Sequence, residues 1–218
     1  DKFQIFVLNK KKLKNLYSQE LKIDHQFDFK DLNILSNFLD KNIYKIEKLI
    51  GNFIKNIILI VENEKNLKIN MGIKKSYETS LKQKSFSSNL TELKDLFKKN
   101  YQDQTIMHMC IINYIIDGKR YSSFDSKLIN DYFCIEVSFI AIDNKLVSAF
   151  DNVLEKYQIK IKQYMCGNYI NNFIGDTGDE ISIIANKLRN GLNINEITIV
   201  PKHKENKGFF EKFFQLFS

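Results

Sequence analysis

Two residues in one apolar run have types that could do covalent chemistry. His108 and Cys110 stand at i and i+2 within TIMHMCIINYII (105–116), and on a strand that spacing puts both on one face. A cysteine beside a histidine base can act as a nucleophile when a third group orients the imidazole. No such group adjoins them in the sequence. Alternating core positions of a buried strand explain the same spacing, and that reading is adopted. His25, His108 and His203 share no metal-ligand spacing with each other or with cysteine. Glu136 and Asp143 fall at opposite ends of a second apolar run and do not read as paired carboxylates. Gly175-Asp176-Thr177-Gly178-Asp179 is loop-like and precedes a helix expected from Glu180. It could be a phosphate-loop remnant, but Asp176, Asp179 and Glu180 would repel a triphosphate without a metal between. A turn capping the helix from Asp179 or Asp176 is expected instead. These residues point to no catalytic site, no cofactor and no metal.

The strongest signal belongs to binding. The segment 201–208 is lysine-rich and marked by Pro201 and Gly208, and 209–218 carries five phenylalanines. On a helix, Phe209, Phe210, Phe213, Phe214, Leu216 and Phe217 share a broad face, with Glu211, Gln215 and Ser218 opposite. A bilayer span needs roughly 20 residues, so this segment is too short to cross. It suits the membrane surface, with phenyl rings in the acyl boundary and Lys202, Lys204, Lys207 and Lys212 beside anionic headgroups. Docking of the phenylalanines on the protein's own core is the other reading.

Composition narrows the classes. The chain has 218 residues, 44% of them hydrophobic, enough for one substantial core or two small ones. A net charge of +7 suits an anionic partner. Only Arg120 and Arg189 are arginines; base and phosphate readers favour arginine forks, which counts against sequence-specific nucleic-acid binding. Cys110, Cys134 and Cys166 are widely spaced in apolar runs and read as reduced, buried thiols. No secretory leader or membrane span is read, and a cytoplasmic protein is expected.

The elements that would position these residues alternate between strand and helix. Strands are expected over 3–8 and 13–21, joined by the lysine turn at Lys10, Lys11 and Lys12. Phe29, Leu32, Leu35, Phe38, Leu39, Ile43, Ile46, Leu49 and Ile50 recur at threes and fours, predicting a long helix from an Asp28 N-cap to Gly51. NIILIV (56–61) reads as a central strand covered on both faces. A strand over 67–77 follows, then a short helix through Leu90, Leu93, Leu96 and Phe97, capped by Ser88 or Asn89. Strands over 105–116 and 133–142 are expected to be neighbours, the first turning at Asp117-Gly118. A helix over 145–157, a strand over 159–165, a helix over 180–188 ending near Gly191 and a strand over 193–200 complete an α/β (α+β) domain with a mixed sheet.

This order resembles the N-terminal part of FtsA, the actin-like protein that ties the bacterial division ring to the membrane. The resemblance rests on the long helix and NIILIV, on Tyr114-Ile115-Ile116-Asp117-Gly118 as a family-like turn, on Tyr157-Gln158-Ile159-Lys160-Ile161 as a strand entry, and on the phenylalanine tail. It implies a reduced actin-like subdomain over 1–66 and 143–200, an inserted SHS2-type lobe over 67–142, a basic linker over 201–208 and a membrane-targeting helix over 209–218. It departs from the family where nucleotide would bind. The first turn is Asn9-Lys10-Lys11-Lys12 and no glycine precedes Gly51, and the resemblance extends to no second actin-like domain. No ATP-binding or ring-protein-binding residue is therefore carried over. The function implied is a non-catalytic, peripheral adaptor on the cytoplasmic face of the bacterial inner membrane. Its implied partners are an anionic membrane surface, cell-division proteins and further copies of itself, with no nucleic acid. An actin-like ATPase half, a pilus-assembly-type actin-like protein and a basic nucleic-acid-associated protein are the alternatives.

Overall fold

The computed structural model describes residues 1–28, 31–76, 83–122, 132–175 and 178–197. Among them the chain forms five helices and three small sheets, a mixed α/β architecture. The strands β1 (Lys2–Asn9) and β2 (Lys14–Lys22) pair as an antiparallel hairpin. Its turn is closed by Asn9, whose side-chain oxygen accepts the amides of Lys11 and Lys12, both at 3.1 Å. A bulge leaves Leu16 without a partner, since Val7 faces Tyr17 and Leu8 faces Asn15.

The long helix α1 (Leu32–Ile50) buries Phe38, Leu39, Asn42 and Ile46. It stops at Gly51, whose left-handed φ of 70° lets its N–H reach the Glu47 carbonyl at 2.8 Å. The start differs from the expectation. Asp31, not Asp28, precedes the first helical residue, and Phe29 lies outside the described residues. The Asp31 carboxylate does not cap α1; it accepts the Asp28 amide at 2.7 Å and His25 Nε2 at 2.8 Å. Those two bonds, the backbone one first, hold its carboxyl below the usual range. A depressed carboxyl contributes stability at neutral pH that is lost as pH falls through the lowered value. Asp31→Asn is thus expected to melt below the parent at about pH 7, with the gap closing towards about pH 3. Parallel losses on acidification would show that Asp31 takes no part.

Strand β3 (Asn56–Val61) pairs in parallel with β8 (Lys160–Cys166), and the two form a sheet by themselves. The expected single mixed sheet is therefore divided, and β3 is not central, having one strand neighbour among the described residues. Its unbroken apolar run reflects faces rather than edges. Ile58 and Ile60 pack on Met165, Ile170 and Ile184, while Leu59 and Val61 pack with Leu146 and Phe150.

Between β3 and β8 the chain builds its largest sheet. β4 (Leu67–Ser76), α2 (Gln83–Asn100), β5 (Gln104–Ile116), β6 (Lys119–Tyr121) and β7 (Tyr132–Asp143) follow in sequence, and the strands lie antiparallel in the order β4-β7-β5-β6. The expected pairing of 105–116 with 133–142 and the Asp117-Gly118 turn are both present; φ is 46° and 83° there, fitting a tight hairpin. Helix α2 is longer than expected. Ser88 and Asn89 lie inside it rather than capping it, because no Gly or Pro from Gln83 onward stops the backbone. Leu93 and Phe97 enter the core with Phe133, Ile135, Val137, Phe139 and Ala141, whereas Leu96 is 44% exposed and off the buried stripe. The chain returns through α3 (Asn144–Glu155), capped by Asp143, whose carboxylate accepts the Lys145 amide at 2.7 Å. After β8 come the short α4 (Gly167–Asn171) and α5 (Ile181–Arg189). Of the strand expected over 193–200, the described part is a turn and one antiparallel bridge, Glu196 to Cys110; residues 198–200 lie outside the described residues.

Candidate functional site

The described residue cluster with the most chemistry forms where β5, β8, α4 and the 193–197 segment meet. Strand β5 is irregular, with register breaks between Ile106 and His108 and between Ile111 and Asn113. Each break moves the alternation by one residue, so Met109 and Ile111 join the α2-covered core while His108 and Cys110 share the opposite face. The shared face is as the i, i+2 spacing predicts. At the end of β8, Gly167 lets the chain turn close to Glu62; a Cβ there would lie 2.9 Å from the Glu62 Cβ. That turn brings Tyr169 of α4 over His108, with ring centroids 4.2 Å apart.

The third group that the local sequence did not offer is Glu196. His108 Nδ1 lies 2.7 Å from its Oε1, and Tyr169 donates to its other oxygen at 2.9 Å. Asn193 Nδ2 donates to the Tyr169 oxygen at 2.8 Å, and Cys110 Sγ donates to it at 3.5 Å. The other imidazole nitrogen, Nε2, accepts the Cys166 backbone N–H at 2.9 Å. Backbone bonds hold the segment in register: Ile111 N–H donates to the Asn195 carbonyl at 2.9 Å, and Ile197 N–H to the Met109 carbonyl at 2.8 Å. The only earlier signal for Glu196 was an acid standing inside an otherwise apolar and neutral expected strand.

This geometry suits fastening and not nucleophilic attack. Because Nε2 accepts an N–H, it is unprotonated, and Nδ1 carries the proton given to Glu196. Both nitrogens are then committed, with none left to deprotonate a thiol. Burial, with Glu196 adding to it, pushes the Cys110 thiol up to about 11. At neutral pH that leaves roughly one thiolate in ten thousand. Burial also raises Tyr169, so its hydroxyl stays a donor. Cys110 and Cys166 are buried as expected, but Cys134 is only half-buried; all are unpaired thiols.

The remaining sequence candidates are dispersed. Glu136 accepts Asn113 Nδ2 at 2.7 Å within the sheet, and Asp143 at the end of β7 caps α3, so the two carboxylates form no pair. In the glycine loop, φ is positive at Gly175 and Gly178, while Asp176 and Thr177 lie outside the described residues. Asp179 pairs with Lys187, and Glu180, not Asp179, stands at the start of α5 without a side-chain cap bond. Lys202, Lys204, Lys207, Phe209, Phe210, Lys212, Phe213, Phe214, Leu216 and Phe217, the membrane-binding residues read from the sequence, lie outside the described residues, as does His203. Among the described residues no group of three or more His, Cys, Asp or Glu is arranged to hold a metal. No helix among them is long and apolar enough to cross a membrane. No family model matches this chain, and no curated protein matches it.

Proposed function

We propose that the protein is a non-catalytic, membrane-tethered adaptor of bacterial cell division, built as a reduced relative of FtsA. The observation that carries this reading is the excursion between β3 and β8. The chain leaves β3, folds β4, β5, β6 and β7 into a separate four-stranded sheet covered by α2, and returns through α3 to lie parallel to β3. An SHS2-type lobe inserted in an actin-like subdomain would have this order. The hairpin β1–β2 stands outside the β3–β8 sheet, and its turn carries lysines where a nucleotide-binding relative has glycine. Both points favour a reduced, non-nucleotide form over an ATPase half.

The tether is the 209–218 segment. A single short amphipathic helix binds weakly, and each nearby lysine adds about 1 kcal/mol at an anionic surface. Holding several copies together, by self-association or through division proteins, multiplies residence by effective concentration. Phe210→Glu combined with Phe214→Glu is expected to leave folding intact, sharply weaken sedimentation with anionic vesicles and disperse a fluorescent fusion from the septum. A variant that unfolds instead would show that the phenylalanines belong to the core. Sedimentation equal to the parent's would sink the tether.

A further inference from the structure

The far end of the β1–β2 hairpin combines four lysines with two outward leucines. Lys10, Lys11, Lys12 and Lys14 are exposed, and none is in an ion pair among the described residues. Leu13 is 40% exposed and Leu16 51%. Their outward placement is built into the backbone: Leu13 takes a left-handed φ of 47°, and Leu16 is the unpaired residue of the bulge. The turn is ordered by the Asn9 side chain. Next to the turn, Asn15 fastens β2 to α5, donating to Ser182 Oγ at 2.8 Å and to Glu180, and Tyr17 fastens it to α1, donating to Asn42.

A turn that only faces water gains nothing from two leucines held outward by a bulge and a left-handed residue. Leucine side chains set among lysines match the boundary between acyl chains and anionic headgroups. Nucleic acid fits less well, since the tip has no arginine fork and no aromatic ring on which a base could stack. We propose that this tip is a second membrane contact, seating Leu13 and Leu16 at the acyl boundary of an anionic bilayer with Lys10, Lys11, Lys12 and Lys14 among the phosphates. The inference rests on the tether reading for its surface but not on the phenylalanine segment. With contacts at both, the folded part would be held in a fixed orientation on the membrane.

The test uses four full-length proteins: the parent, a tip variant with Lys10, Lys11, Lys12 and Lys14 each changed to Gln, the Phe210→Glu, Phe214→Glu variant, and the combination. Each is sedimented with phosphatidylcholine vesicles with and without phosphatidylserine, and its unfolding midpoint is checked. The tip variant is expected to partition onto the anionic vesicles about tenfold less than the parent or weaker, with an unchanged midpoint. The tail variant keeps residual binding that salt abolishes, and the combination keeps none. Equal binding by parent and tip variant overturns the tip contact whatever the tail does. Binding unaffected by the tail change but lost with the tip would overturn the tail and leave the tip standing. The chain has no tryptophan, so Leu13→Trp reports on this position alone. Its emission is expected to shift to the blue with anionic vesicles. An unshifted spectrum, or loss of DNA or RNA binding in place of vesicle binding by the tip variant, overturns the proposal.

Discussion

His108→Ala is expected to lower the unfolding free energy by about 3–5 kcal/mol. The ring is fully buried, and its removal acts in three ways. It leaves a cavity under Tyr169, and it strands the Cys166 amide and one oxygen of Glu196. Each stranded buried group costs about 1–3 kcal/mol, more when charged. Because β5, β8 and the 193–197 segment meet in this cluster, the loss should also loosen the four-stranded sheet from the β3–β8 pair, which Met107, Ile142, Val61 and Cys166 still join through apolar packing. A double-mutant cycle with Glu196→Ala isolates the contact, with a coupling of about 1–3 kcal/mol expected for a charge-assisted bond in a buried site. Cys110→Ser should change stability far less, its thiol being the weakest donor in the cluster. Denaturant unfolding measures all of these. Loss in His108→Ala below about 1 kcal/mol would show that the cluster is not a fastener.

Phe97→Ala should be as severe, at about 3–5 kcal/mol. Its ring is 0% exposed, stacks on Phe139 at 4.7 Å and 19°, and meets Tyr101 at 5.0 Å. Phe139 comes from β7, the strand between β4 and β5, so the pair joins helix to sheet in the interior of the four-stranded sheet. Native domains are stable by only about 5–15 kcal/mol, so a loss of this size removes a large share of the stability. Leu96→Ala, one residue away and on the exposed side, is expected to change stability by less than about 0.5 kcal/mol. Equal effects at 96 and 97 would mean that α2 packs in a different rotation.

That contrast marks how far the sequence could be read. Period and punctuation located nearly every described element: the hairpin with its lysine turn, α1 ending at Gly51, the Asp117-Gly118 turn, and the β5–β7 pairing. These depend on local backbone preference and on which faces are apolar, and both are written in neighbouring residues. Boundaries were less legible. Helix α2 begins before its apolar stripe, and α1 starts after Asp31, past the expected Asp28 cap, with the Asp31 carboxylate turned to His25 and a backbone amide.

Sheet membership and the buried cluster were decided only in three dimensions. An apolar run such as NIILIV shows that both faces of a strand are covered, but strand edges are paired by backbone groups that every residue carries alike. Nothing in β3 could therefore announce that it has one strand neighbour among the described residues instead of two. His108 and Glu196 stand 88 residues apart, and their meeting depends on two register breaks in β5, a close glycine turn after β8 and a bridge back to Cys110. The phenylalanine segment and the lysine tip are legible in sequence because composition and short spacing define them. The outward setting of Leu13 and Leu16 is not, since a bulge depends on how two strands come into register, and that is fixed by packing across the whole fold.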